Sequence, residues 1–125
     1  MVEQTFLLKM SEGADVFEEL EKLARASKID YAFIVSGYGR IKDFELISHE
    51  SKGGISRAKF GSEFEVNAMS GKVQLLKGGK FAASLRVSVS STGFTSKAGQ
   101  IVAGKAGKSL EIGLRKVDFS RIIEA

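Results

Sequence analysis

Few side chains in this 125-residue sequence could carry out covalent chemistry. A nucleophilic mechanism needs a serine, cysteine or threonine beside a base such as histidine or lysine. The sequence has no cysteine and one histidine, His49, which ends a predicted strand just before a glycine turn. A lone histidine there is more often a surface residue than a catalyst. Serine–lysine pairs stay open, but no spacing singles one out, so the sequence predicts no catalytic constellation.

The same composition limits metal and cofactor chemistry. Without cysteine there can be no thiolate site, and one histidine per chain excludes a multi-histidine site within a chain. A trimer could place three copies of His49 on its axis, which is a special case. We therefore expect no metal and no cofactor.

Two glycine-containing segments resemble nucleotide-binding motifs without matching them. GYGRIKDF, residues 37–44, lacks the third glycine of a dinucleotide fingerprint, and a strand rather than a helix is predicted to follow. AGKAGKS, residues 103–109, has its glycines too close together for a phosphate-binding loop and also leads into a predicted strand. The first segment is better interpreted as a tight turn that needs glycine, and residues 100–117 predict two short strands around Gly104 and Gly107.

Charge and hydropathy describe an ordinary globular chain. Hydrophobic residues make up 43% and the net charge is +4, with Lys and Arg scattered rather than clustered. This charge would permit binding of an anion or a nucleic-acid backbone, although a solvated basic surface is the simpler explanation. No stretch approaches the ~20 apolar residues of a membrane span, and no leader is evident. We expect one soluble, cytoplasmic domain over residues 1–125.

One segment predicts a helix before the C-terminal region. In DVFEELEKLARASK, residues 15–28, apolar side chains recur at helical spacing and form a single stripe. Asp15 is placed to cap the first turn, with Glu18 three residues later. Basic residues in the later turns suit the helix dipole.

The remaining sequence predicts strands joined by glycine turns. Residues 2–10, 63–76 and 81–91 alternate between apolar and polar side chains, and Ser70–Gly71 could bend the middle one. The apolar run Tyr31–Val35 predicts a strand buried on both faces or against the helix. SKGGIS, residues 51–56, predicts a turn, and residues 118–125 a short helix or a last strand. The fold class is therefore α+β: a mainly antiparallel sheet of about seven strands with one amphipathic helix packed on it.

The order of these elements and motifs resembles the plants-and-prokaryotes-conserved (PPC) domain, which plant AT-hook nuclear-localised proteins carry. The likeness covers nearly the whole chain. GSEFEV and the following Ser-Gly look like the family's Gly-Arg-Phe-Glu-Ile-Leu motif, and SGYG looks like its Ser-Gly-x-Gly turn. The residues that carry the resemblance are Gly61, Phe64, Glu65, Val66, Ser70 and Gly71 in the first motif, and Ser36, Gly37 and Gly39 in the second.

The resemblance implies a homotrimer that serves self-association and contacts with other proteins. In the plant proteins, DNA contact belongs mostly to the AT-hook, which this sequence lacks. On this view Phe64, Val66 and Ala68 are core or subunit-contact residues, and their strand serves assembly rather than catalysis.

One departure from the family concerns a metal site. Many prokaryotic members carry His-x-His and Gly-Gly-His on late strands, where this sequence has Ser84, Arg86 and Lys105. A hydroxyl and two cations would repel a metal and suit a carboxylate, a phosphate or a nucleic-acid backbone. The alternative is a lost site whose cations are solvated or paired with Glu65 or Glu111, which could also form the pocket wall.

Two functions follow from these observations. The first is a non-enzymatic, trimeric PPC-like domain that acts as a DNA-associated or protein-interaction module, with weak and salt-dependent DNA binding. The second is a protein that binds a small anionic metabolite through Arg86 and Lys105. Neither function involves a membrane.

Overall fold

The computed structural model describes residues 4–125, which form one antiparallel sheet of eight strands and one α-helix. The predicted α+β fold with a mainly antiparallel sheet is therefore confirmed. Residues 2 and 3 of the first predicted strand lie outside the described part. The elements are β1 (Thr5–Lys9), α1 (Val16–Ala26), β2 (Tyr31–Tyr38), β3 (Arg40–His49), β4 (Ile55–Phe60), β5 (Phe64–Leu75), β6 (Phe81–Ser90), β7 (Ser96–Ala106) and β8 (Glu111–Lys116).

The strands follow the order β1-β8-β2-β5-β6-β7-β3-β4 across the sheet. β5 also pairs with β3, through Arg40 opposite Glu65 and Ile41 opposite Phe64. This extra pairing closes β5, β6, β7 and β3 into a ring, while β1 and β4 remain as edges. The strand made last, β8, lies between the first two strands of the chain.

The helix begins where the sequence predicts it. The Asp15 carboxylate accepts a hydrogen bond from the Glu18 N–H at 3.0 Å, which satisfies one of the free donors of the first turn. The predicted stripe faces the sheet, with Val16, Leu20 and Ala24 fully buried. The helix covers one side of the sheet and completes the core.

The core is built from strand residues that alternate inward. On β6, Leu85, Val87 and Val89 are buried, as their spacing predicts. Three aromatic rings pack at one end of the ring of strands, where Phe44 lies 5.1 Å from Phe60 and 5.3 Å from Phe64 between ring centroids. This core positions the outward residues of β5, β6 and β7.

Three strand predictions were wrong or incomplete. The alternation of β5 breaks at a register shift between Val66 and Ala68, so Ala68 is exposed and Met69 is buried instead. β2 is buried on one face only: Ala32 and Ile34 are buried, but Phe33 is 48% and Val35 47% exposed, because nothing in the described chain packs on that side. β4 was not predicted at all. It is an edge strand, and its residues from Ile55 to Lys59 are all exposed. Because neither face of these residues is buried, the sequence needs no alternation of apolar and polar side chains there.

Glycine permits two close approaches of the backbone. Gly71 has φ of 144° inside β5, and a Cβ there would overlap the Ser84 carbonyl oxygen on β6. β5 continues through Ser70–Gly71, and both residues keep their pairing with β6. Gly39, with φ of 106°, is the single residue between β2 and β3, and a Cβ there would overlap the Ser109 carbonyl oxygen.

Of the two alternatives that the sequence left open for the C-terminal region, a short helix or a last strand, the structure has a short helix. Residues 119–121 make one 3₁₀ turn, which the Asp118 carboxylate caps by accepting from the Ser120 N–H at 3.0 Å. Phe119 packs edge-on against Tyr31 with 6.2 Å between ring centroids.

Candidate functional site

Ser84 and Arg86 lie on the outward side of β6. The inward positions of this strand are filled by buried apolar residues, so alternation places Ser84 and Arg86 together on the opposite side. Ser84 is opposite Lys72 on β5, and Arg86 is opposite Ser70 on β5 and Gln100 on β7. The structure thus brings two of the three predicted anion-binding residues to one surface.

Arg86 borders an open groove of about 570 Å³ that crosses β5, β6, β7 and β3. The lining of the groove is mostly apolar, and its polar side chains besides Arg86 come from Ser48, His49, Ser70, Ser88 and Gln100. Within residues 4–125, no carboxylate lies within ion-pair distance of the Arg86 guanidinium. A guanidinium without an acidic partner, next to hydroxyl and amide groups, suits a planar anion such as a carboxylate.

Lys105 lies elsewhere within one chain. It is opposite Lys42 on β3 and forms an isolated backbone bridge with Asp15. Because Arg86 is opposite Gln100, five residues earlier on β7, the register separates Arg86 and Lys105 by about 16 Å along the strand. One chain therefore does not assemble a site from Ser84, Arg86 and Lys105 together.

The two predicted wall residues also lie apart from Arg86. Glu65 is opposite Arg40 on β3 and Ser90 on β6. Glu111 forms an ion pair with Lys9 at 3.6 Å. In the described part of the chain, neither carboxylate forms an ion pair with Arg86 or Lys105. The alternative in which Glu65 or Glu111 neutralises these two cations is therefore not seen within one chain.

Glu65 lines a second, separate pocket of about 520 Å³. Asn67, Ser90 and Phe94 also line it, and the Ser90 hydroxyl donates to the Asn67 side-chain oxygen at 3.1 Å. Phe94 is fully exposed at the tip of the β6–β7 hairpin. The sequence pattern did not reveal this aromatic tip, because a phenylalanine in a loop gives no periodic signal.

A third surface is the sheet side of β1, β8 and β2 that faces away from the core, and sequence reasoning missed its exposure. Leu7 on β1 is 59% exposed and lies opposite Gly113 on β8, and the Val35 side chain approaches the same glycine from β2. Phe33 lies one row away. We call these four residues, Leu7, Phe33, Val35 and Gly113, the outer face.

The motif residues have structural placements. Ser36 and Gly37 remain within β2, opposite Gly113 and Ile112, just after a register shift in the β2–β8 pairing. Gly37 packs closely on β5, where an added Cβ would lie 2.7 Å from the Met69 Cβ. Gly61 is exposed between β4 and β5 and meets no comparable restriction.

The chemistry of the positions that correspond to the family's histidines does not fit a metal. The residues present at those positions, Ser84, Arg86 and Lys105, are a hydroxyl and two cations, and within one chain they do not lie together. Elsewhere in residues 4–125, no three His, Asp or Glu side chains converge to form a metal-binding group.

The fold and these surfaces define a small α+β domain with one helix on a partly closed antiparallel sheet and with open surfaces suited to binding. The family model of the Plants and Prokaryotes Conserved (PCC) domain matches residues 1–118. The chain therefore belongs to this family, the one that its sequence motifs resemble.

Solved structures from prokaryotes share the fold. A plant- and prokaryote-conserved protein of Pyrococcus horikoshii is 22% identical with a TM-score of 0.80, covering 92% of this chain and 79% of its own. A metal-containing protein of Archaeoglobus fulgidus is 19% identical with a TM-score of 0.78, covering 90% and 79%. A candidate DNA-binding protein of Ralstonia eutropha is 20% identical with a TM-score of 0.75, covering 90% and 76%. At these identities the likeness establishes the fold alone.

No protein of curated function matches the chain. In the part of the chain that the structure describes, no helix is long and apolar enough to cross a membrane.

Proposed function

We propose that the chain is a non-enzymatic interaction domain that assembles into a homotrimer and associates weakly with DNA. The observation that carries the proposal is the outer face, an uncovered side of the sheet with three large apolar side chains around a glycine. Contiguous apolar surface of this kind marks sites of association.

The position of the outer face favours burial between copies of the chain. Gly113 itself is buried, because the Ser36 hydroxyl and the Val35 side chain fill the space above it, so a partner would contact the exposed Leu7, Phe33 and Val35 side chains. Phe33 lies 5.5 Å from Tyr31 between ring centroids, and its cross-strand neighbours Arg115 and Lys72 place charges beside the apolar surface. Burying an exposed Phe or Val side chain contributes on the order of 1.5–3 kcal/mol each, which favours assembly when summed over three subunits.

Self-association is tested by measuring mass in solution with light scattering after size exclusion. We expect three times the chain mass of 13.5 kDa for the wild type. Phe33→Glu places a charge in the outer face and should give single chains. Phe94→Glu, which changes an exposed phenylalanine on the distant hairpin tip, should leave the mass unchanged. A wild type that remains a single chain would exclude this part of the proposal.

The DNA part rests on the positive charge and on relatives. The Ralstonia eutropha structure belongs to a candidate DNA-binding protein. A trimer would carry three times the chain charge of +4. Contacts with phosphates release counterions, so binding to a duplex should weaken steeply as salt rises. Fluorescence anisotropy of a labelled random duplex, titrated at several salt concentrations, tests this; no binding at low salt would remove DNA from the proposed function.

A second candidate function is the binding of a small anionic metabolite in the groove beside Arg86. The observation that favours it is an arginine without a carboxylate partner next to Ser70, Ser88 and Gln100. β2 pairs with β5 next to this groove, where Ile34 is opposite Gly71 and the adjacent groove residue is Ser70. A trimer contact there could therefore supply a second cation, such as Lys105 of another copy, which one chain does not provide.

Thermal shift assays with a panel of anionic metabolites test the second function. We expect Arg86→Ala to abolish any ligand-induced stabilisation without lowering the unligated melting temperature. Lys105→Ala should weaken the stabilisation only if a neighbouring copy supplies this residue. If no anion raises the melting temperature of the wild type, the groove is not a metabolite site.

A further inference from the structure

The most unbalanced positive charge lies at the end of the molecule where α1 ends, not at the residues that the sequence singled out. The β5–β6 turn carries Lys77 and Lys80, and Lys28 follows the helix. In the described part of the chain, none of these three lysines has an ion-pair partner. We call Lys28, Lys77 and Lys80, with the glycines between the last two, the basic turn cluster.

A hydrogen bond joins the β5–β6 turn, which carries Lys77 and Lys80, to the end of α1, which Lys28 follows. The Arg25 guanidinium donates to the Gly79 carbonyl at 2.8 Å and also to the Glu21 carboxylate at 2.9 Å. Arg25 therefore anchors the turn to the last turn of α1, and Lys28 follows three residues later. Two elements far apart in sequence thus present cations to the same end of the molecule.

The backbone of the turn is open to a ligand. Gly78 and Gly79 have φ of 85° and 83°, and nothing in the described structure lies within 4 Å of where a Cβ would be on either residue. The Leu76 N–H donates to the Lys80 carbonyl at 2.7 Å, which keeps the turn tight. A bulky anion can therefore approach the glycine backbone between two lysines without meeting a side chain.

The charge balance distinguishes this cluster from the surface around Lys105. Lys105 lies opposite Lys42, and Glu12 forms an ion pair with Lys42, so one of the two charges there is already balanced. Near the basic turn cluster the carboxylates are Glu21, which Arg25 already engages, and Asp30. Four cations thus face two carboxylates there.

We propose that the basic turn cluster is the surface that contacts the phosphate backbone of duplex DNA, an inference that rests on the DNA association in the proposed function. Lysine ammonium groups act as point charges towards phosphates, and contacts of this type give affinity without reading sequence.

The test compares two double variants of equal charge in the full chain. Lys77→Gln/Lys80→Gln removes two cations from the cluster. Lys52→Gln/Lys97→Gln removes two exposed lysines that also lack ion-pair partners in residues 4–125. Anisotropy with the labelled duplex is measured from about 50 mM to about 200 mM salt, and circular dichroism checks that both variants fold.

We expect the cluster variant to bind at least tenfold more weakly at the lowest salt. Its slope of log affinity against log salt should be shallower by about 2 for each contacting subunit. The control variant should change affinity less than threefold. Equal losses in both variants would show that total charge alone matters and would overturn the proposed surface. If the cluster variant binds the duplex as tightly as the wild type, the proposed contact surface is wrong, although DNA association itself still stands. A wild type that binds no duplex would instead remove DNA association itself, and this inference with it.

Discussion

Lys42 and Lys105 are directly opposite each other on β3 and β7, and within residues 4–125 only Lys42 has an ion pair, with Glu12 at 3.2 Å. Residues that are directly opposite in an antiparallel pair share a face, so the two ammonium groups repel. A chain selected for stability alone would not need this arrangement. It is the one structural argument that favours a role for Lys105 in contacting an anion.

The first prediction concerns the stability cost of that pair. Lys105→Gln should raise the free energy of unfolding by about 0.2–1 kcal/mol, because it removes a like charge directly across the ladder. Urea denaturation measures the change. Lys108→Gln, which removes an exposed lysine from the neighbouring loop, should leave the stability almost unchanged. Equal effects in both variants would mean that the cross-strand repulsion is negligible.

The second prediction concerns Gly71. Gly71→Ala should lower the free energy of unfolding by about 3 kcal/mol or more, because its Cβ would overlap the Ser84 carbonyl oxygen and disturb the β5–β6 pairing. Gly53→Ala is the control, since Gly53 has φ of 86° with nothing described within 4 Å of its Cβ position. It should cost only about 1–2 kcal/mol from backbone strain. A similar cost for both variants would contradict the close approach.

The third prediction concerns the start of α1. Asp15→Ala should destabilise the fold by about 1 kcal/mol, because the Glu18 N–H loses its acceptor. Asp15→Asn keeps a side-chain oxygen and should recover most of this loss. Chemical denaturation of the two variants measures the difference. Equal destabilisation by alanine and asparagine would indicate that the carboxylate charge matters more than the capping hydrogen bond.

The fourth prediction concerns two phenylalanines in opposite environments. Phe44 is buried between Phe60 and Phe64, so Phe44→Ala should cost about 3–5 kcal/mol of stability. Phe94 is fully exposed, so Phe94→Ala should stay within about 0.5 kcal/mol of the wild type. Calorimetry or urea unfolding checks both. A stability loss in the Phe94 variant would mean that the hairpin tip is covered in solution.

The sequence predicted those elements whose signal is local. The helix combined an apolar stripe with a capping residue, and both lie within residues 15–24. β6 was predicted correctly because Leu85, Val87 and Val89 alternate on a strand with one buried face. β4 lacked such a signal, since an edge strand exposed along most of its length needs no pattern.

The site could be predicted only in part, because it depends on pairing between distant strands. The alternation of β6 is enough to place Ser84 and Arg86 on one side. The distance from Arg86 to Lys105 depends on the β6–β7 register and on the irregular β3–β7 pairing, which no motif encodes. The exposure of Phe33 could not be foreseen from the sequence, because a continuous apolar run such as Tyr31–Val35 is also typical of a strand that is buried on both faces.

The position of β8 between β1 and β2 has a consequence for biosynthesis. The ribosome makes β8 last, so neither of its neighbours can complete its hydrogen bonding until residues 111–116 have emerged. Until then the nascent chain holds two unpaired strand edges and the apolar residues that β8 will cover. Pairing between strands this distant in sequence is also slow to form. Synthesis therefore passes through a stage at which the chain is most prone to aggregation, and chaperones that bind exposed strands would act at that stage.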